Sequence, residues 1–132
     1  MPSCFILRGV SGCGKSTLAE EMAIPLKAAI CSADDYFYDH GIYKFDASRL
    51  NEAHSFCYNN TKEWMRRGVN VIVDNTNTTE WEVNKYRDLA LSNGYQVFGI
   101  TAENWHEGQN THNVPEETLD KMRERLKQSI KL

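Results

Sequence analysis

A short run near the start of the chain, Gly9-Val10-Ser11-Gly12-Cys13-Gly14-Lys15-Ser16, has the residue types and spacing that grip a polyphosphate. Glycines let the backbone approach the anion, so that successive N–H groups and the N-terminus of a following helix point at it. Gly9, Ser11, Gly12, Cys13, Gly14 and Thr17 are read with it as the ATP cradle, Lys15 as the catalytic cation on the β- and γ-phosphates, and the Ser16 hydroxyl as a ligand for Mg²⁺. Carboxylates elsewhere could complete phosphoryl transfer. Asp74 closes the apolar run Val71-Ile72-Val73, where it either holds the same Mg²⁺ or merely opens a turn. Asp34 and Asp35 follow a second apolar run; one suffices to orient an acceptor hydroxyl and take its proton, and the alternative is a pair of turn caps. Asp35, Tyr36, Asn75 and Asn77 are assigned to the acceptor side. Tyr36, Phe37, Tyr38, Tyr43 and Phe45 fit either a wall that stacks on a base or a small packed core.

The elements that must position these residues alternate apolar runs with amphipathic stretches, the sign of βα repeats around a parallel sheet. Strands are expected at Cys4 to Leu7, Ala28 to Cys31, Val71 to Val73 and Tyr95 to Ile100. The first helix runs from Gly14 or Lys15 to about Ile24, stopped by Pro25. Ser48 is expected to cap a helix from Arg49 to Arg67 that Gly68 ends, and Thr79-x-x-Glu82 reads as a capping box for a helix to Leu91. The stretch from Tyr36 to Phe45 is read as irregular. A lid-like polar connection spans about 101–114, and Pro115 starts the last helix. The expected fold class is α/β, a three-layer P-loop kinase fold with a parallel four-stranded sheet of order 2-3-1-4 flanked by helices. In such a sheet the phosphate loop, Ser32 to Asp35 and Asp74 to Asn77 converge at the carboxyl edge of the strands.

With 132 residues the chain fits one domain. A net charge of -3 argues against a grip on long nucleic acid by phosphate neutralisation, leaving a strand end or a small substrate. Cys4, Cys13, Cys31 and Cys57 show no C-x-x-C pairing, so free thiols in a reducing cytoplasm are expected. Cys13 is either a reactive thiol at a helix N-terminus or a small residue that the loop tolerates. His40, His54, His106 and His112 lack partners at diagnostic spacing and are assigned to surface or packing roles. No signal peptide or membrane span is expected.

With these residues assembled, the chain resembles the polynucleotide 5′-hydroxyl kinase family of phosphate-loop kinases. The resemblance runs through Gly9 to Thr17, Ser32-Ala33-Asp34-Asp35-Tyr36, Tyr43-Lys44-Phe45-Asp46, Val71 to Asn77 and Asn110-Thr111-His112-Asn113-Val114-Pro115. It implies transfer of the ATP γ-phosphate to a 5′-hydroxyl of DNA or RNA with Mg²⁺, Asp34 being the general base. Members carry an Arg after the Asp-Asp-Tyr element, where this chain has Phe37, and a catalytic Arg in the lid, where it has Gln109 beside Asn110. Lys121 or Arg125, a partner's cation, or slower turnover are the alternatives this leaves. A kinase for a small metabolite or nucleoside, and a weakly catalytic ATP-binding module, are the competing functions.

Overall fold

A computed structural model of the chain describes residues 1–103 and 114–129. Its central strands are built from apolar residues with no polar alternation, the pattern of strands covered on both faces. Strands β1 (Ser3–Arg8), β2 (Ala28–Cys31), β5 (Asn70–Asp74) and β6 (Gln96–Thr101) pair in parallel in the order β2-β5-β1-β6. Numbered among themselves, these four strands have the expected order 2-3-1-4. Helices α1 (Lys15–Leu26), α2 (Leu50–Arg66), α3 (Glu80–Ser92) and α4 (Glu116–Ser129) complete the α/β architecture.

Residue alternation along the strands divides the core in two. Cys4, Ile6, Val71 and Val73 point to one face, where Ala53, Cys57 and Met65 of α2 and Val83, Tyr86 and Leu89 of α3 cover them. Leu7 and Ile72 point to the other, against Ala19, Leu18 and Met22 of α1. Val71, Ile72 and Val73 are fully buried, each worth about 1.5–3 kcal/mol in apolar transfer. Cys4, Cys31 and Cys57 are equally buried, and burial pushes the Cys4 thiol up to about 12 and that of Cys31 to about 11. They serve as small hydrophobes.

Several expectations need correction. Helix α1 continues through Pro25 and is closed by Lys27, whose left-handed φ of 50° lets its N–H reach the carbonyls of Ala23 and Ile24. Proline costs one hydrogen bond there, to Glu21, which is exposed to water. Asp46, not Ser48, is the capping residue ahead of α2: its carboxylate accepts from the Ser48 N–H and opens a 3₁₀ turn, Ala47–Arg49. The stretch from Tyr36 to Phe45 is not irregular, for a 3₁₀ turn at Ala33–Phe37 leads into a hairpin, β3 (Tyr38–Asp39) and β4 (Ile42–Tyr43). His40 and Gly41 have φ of 50° and 80°, the positive pair that a two-residue hairpin turn requires. Among the described residues no helix is long and apolar enough to cross a membrane. The lid-like segment, including His106, Gln109, Asn110 and His112, lies outside the described residues except at its ends.

Candidate active site at the carboxyl edge of the sheet

The loop after β1 is held from both sides before it reaches α1. The Gly9 N–H donates to the Thr76 carbonyl at 3.0 Å, and the Ala102 N–H donates to the Arg8 carbonyl at 2.7 Å. A Cβ at Gly9 would lie 2.5 Å from Cys13 Sγ and 3.1 Å from the Ala102 carbonyl oxygen, so a side chain there would have to displace the Cys13 thiol and crowd the backbone at Ala102. Gly12 and Gly14 take φ of 83° and 92°, which turn the loop into the helix. Helix α1 then starts with no side-chain cap and no acid in its first turn. A helix start of this kind suits an anion, because the helix dipole there favours negative charge.

Lys15 is buried in this loop, its ammonium donating to the Val10 carbonyl at 3.3 Å and lying 3.9 Å from Cys13 Sγ. The Ser16 hydroxyl donates to Asp74 Oδ2 at 2.9 Å, which joins the start of α1 to the end of β5. Asp74 is buried, and that burial raises its carboxyl above the ordinary range, against the pull of Ser16 and Lys15. Thr17, next on α1, is exposed, and Ser11 Oγ lies 3.9 Å from Met122 Sδ of α4. Hydroxyl and carboxylate oxygens are the hard donors that Mg²⁺ takes, usually one or two from protein with phosphate oxygens filling further positions. Ser16 and Asp74 fit that ion.

Asp34 and Asp35 stand on the 3₁₀ turn after β2. The Ser32 hydroxyl caps this turn by accepting from the Asp34 N–H, and Tyr43 of β4 donates its hydroxyl to Asp34 Oδ1 at 3.2 Å. Burial, then the charge of Asp34, pushes the Tyr43 phenol upward, so it stays a donor. Asp35 is raised by partial burial and then by the like charges of Asp34 and Asp74. Asp34 and Asp74 thus both bring negative charge to bear on Asp35. That is the electrostatic setting a divalent cation relieves.

The other acceptor-side assignments divide. Asn75 accepts from the Ala33 N–H at 2.8 Å and so ties the Asp34 turn to the end of β5. Asn77 does not face the edge: it is buried at φ 46°, and its amide donates to the Leu7 carbonyl at 2.8 Å. Tyr36 is taken up at the surface, donating to Glu52 Oε2 and accepting from Arg49, both at 2.6 Å. Phe37 is buried among Tyr36, Tyr43 and Phe45, so this aromatic group packs a small core, with Tyr38 and Phe45 about half exposed. On α4, Lys121 pairs with Glu117 and Arg123 with Glu116 and Asp120. Sequence reasoning overlooked Arg8, buried beside the loop, and Tyr43 as the group that holds Asp34. Arg8 falls in no motif, and although Tyr43 lies in the run Tyr43-Lys44-Phe45-Asp46, its hold on Asp34 is defined by a partner that only folding supplies.

The family described as AAA domain, AAA_33, matches residues 5–129 of the chain. NEDD4-binding protein 2 of Homo sapiens is 34% identical over 134 residues, which are 95% of this chain and 8% of that protein. The chain thus spans less than a tenth of that relative's length. In the solved Pnkp1/Rnl/Hen1 RNA repair complex a chain superposes with a TM-score of 0.63 at 20% identity, covering 97% of this chain and 39% of that one. The APS kinase CysC of Mycobacterium tuberculosis superposes with a TM-score of 0.61 at 14% identity, covering 96% and 97%. At these identities the likeness establishes a shared fold, that of P-loop kinases.

Proposed function

The chain belongs to the AAA domain family, AAA_33, and we propose that it is an ATP-dependent kinase that moves the γ-phosphate of ATP to the 5′-hydroxyl of a nucleic acid end. The observation that carries this reading is the single edge at which Ser16 and Asp74 meet within the electrostatic reach of Asp34. The loop N–H groups and Lys15 bind and orient the phosphates. Ser16 and Asp74 would hold Mg²⁺, which when bound neutralises charge building up on the transferred group. Asp34, steadied by the Tyr43 hydroxyl, accepts the proton as the acceptor oxygen bonds to phosphorus. Phosphorus–oxygen bond cleavage releases ADP. The nucleic acid acceptor is supported by the run of motifs around Asp34-Asp35-Tyr36 and by the shared fold with the Pnkp1 chain.

A second reading, a kinase for a small hydroxylated substrate, is favoured by the net charge of -3, by a stretch from Asp88 to Asp120 that holds neither Lys nor Arg, and by the fold shared with an APS kinase. The test is γ-phosphate transfer from ATP to 5′-hydroxyl DNA, 5′-hydroxyl RNA, nucleosides and sugars. Oligonucleotide ends are expected to be labelled, with Asp34→Asn lowering kcat by about 10²–10⁴-fold, the usual worth of a general base. Lys15→Ala is expected to abolish transfer. Labelling of nucleosides or sugars alone would establish the second reading, and full activity in Asp34→Asn would remove the base assignment.

A further inference from the structure

Beside the catalytic edge, helices α2 and α3 present a surface with no part in the chemistry so far described. Both helices start at the carboxyl edge, because β5 runs from the end of α2 toward the start of α3 in parallel with the other strands. Trp81, in the first turn of α3, is 72% exposed, whereas Trp64 packs against the core. One turn further along, the Lys85 ammonium lies 4.9 Å from the ring centre of Tyr58 on α2 and 5.7 Å from those of Trp81 and Tyr86. Among the described residues it makes no ion pair. A cation held by ring faces keeps its charge available to an incoming anion, and the ring contacts fix where that charge sits.

The patch is continuous with the proposed base. The Asn75 side chain accepts from the Ala33 N–H at 2.8 Å, one residue before Asp34, and donates to Cys57 Sγ at 3.5 Å, one residue before Tyr58 on α2. In a chain of net charge -3, a positive group beside an exposed indole matches one chemistry well: a phosphodiester strand whose bases can stack. A lone nucleoside or sugar seated at Asp34 would leave Trp81 uncovered.

Building on the kinase reading of the same edge, we infer that Trp81 and Lys85 form the track for the acceptor strand, Trp81 stacking on a base and Lys85 pairing with a backbone phosphate while the 5′-hydroxyl reaches Asp34. The substrate class this selects is a single-stranded 5′-end rather than a free metabolite. The track also supplies a cation on the acceptor side, where Phe37 occupies the place of an expected Arg.

The test pairs binding with kinetics, using a fluorescent single-stranded 5′-hydroxyl octanucleotide and a nucleoside as acceptors. Trp81→Ala is expected to weaken octanucleotide binding and raise its KM by about 5-fold or more, the usual worth of one base stack, with Trp81→Phe restoring most of it. Lys85→Gln is expected to flatten the log–log salt dependence of binding by about 0.7, the contribution of one phosphate contact to a single strand, and Lys85→Arg to restore it. In both variants the preference for octanucleotide over nucleoside falls. An octanucleotide phosphorylated and bound by Trp81→Ala and Lys85→Gln as by the parent would overturn the track and leave the kinase reading standing. Binding through Trp81 and Lys85 without phosphorylation of any acceptor would keep the track and remove the kinase reading. No binding of the octanucleotide by the parent would remove the track.

Discussion

At Asp74, the proposed ligand role and stability pull in opposite directions. The side chain is 7% exposed, and burial raises its carboxyl despite the Ser16 hydrogen bond and the Lys15 charge. A carboxyl whose native pKa is raised binds more protons in the folded chain than in the unfolded one. Stability therefore falls as pH rises from the ordinary carboxylate value through the raised one, and at neutral pH the chain carries the full cost of the ionised form. Asp74→Asn keeps an acceptor for the Ser16 hydroxyl and removes the charge. In metal-free buffer this variant is expected to melt above the parent at pH 7, with the gap narrowing as the pH is lowered through that window. Thermal denaturation over a pH series measures it, and a variant that melts lower than the parent at pH 7 would defeat the argument. Asp35 is raised in the same sense, by partial burial before like charge, so the acid edge is costly as a group.

Among the elements, the contrast between two helix starts carries most of the meaning. Helix α3 is closed by a full capping box, in which the Thr79 hydroxyl accepts from the Glu82 N–H and the Glu82 carboxylate accepts from the Thr79 N–H. Helix α1 has no such cap, which leaves its start to the proposed phosphate site. Thr79→Ala is accordingly expected to cost about 1 kcal/mol in urea unfolding. A loss below about 0.3 kcal/mol would show that the box contributes little, since caps seldom fall that low. The box was legible because its two members sit three residues apart. The same holds for the buried strands, the phosphate loop, and the acids Asp34, Asp35 and Asp74 at strand ends, whose spacing follows from local geometry. Asp46 was missed because Ser48 offers an equally good cap on paper, and the competition is decided by the 3₁₀ turn that the Asp46 carboxylate nucleates. The hairpin was missed because His40 takes a positive φ that sequence leaves to Asn, Asp or Gly. Asn77 belongs to the same class: its amide is committed to the Leu7 carbonyl, 70 residues away.

Across the whole molecule, Arg8 joins parts of the chain that no local pattern connects. Its Nε donates to the Asn77 carbonyl at 2.9 Å, and its two terminal nitrogens donate to the Ser129 carbonyl at 3.0 Å and the Ser129 hydroxyl oxygen at 2.7 Å. The Ser129 hydroxyl in turn donates to the Thr78 carbonyl at 2.6 Å. One buried guanidinium thus ties the end of β1, the turn after β5 and Ser129 of α4. The tie matters because α4 brings little apolar surface: Leu119 is its one buried residue. A helix held this way depends on its polar clamp, and through Met122 it also borders Ser11 of the phosphate loop. Ser129→Ala is expected to cost about 1 kcal/mol, and Arg8→Met about 2–3 kcal/mol because it leaves buried carbonyls without donors. The two changes share partners, so the double variant should fall short of their sum by at least about 0.5 kcal/mol. Amide hydrogen exchange separates this from general destabilisation, since the clamp model requires the amides of α4 to lose protection in Ser129→Ala while those of β1 and β5 keep theirs. Uniform loss across sheet and helix, or full protection of α4 in both variants, would mean that α4 is held by its apolar contacts, and that Arg8 serves only the turn at Asn77.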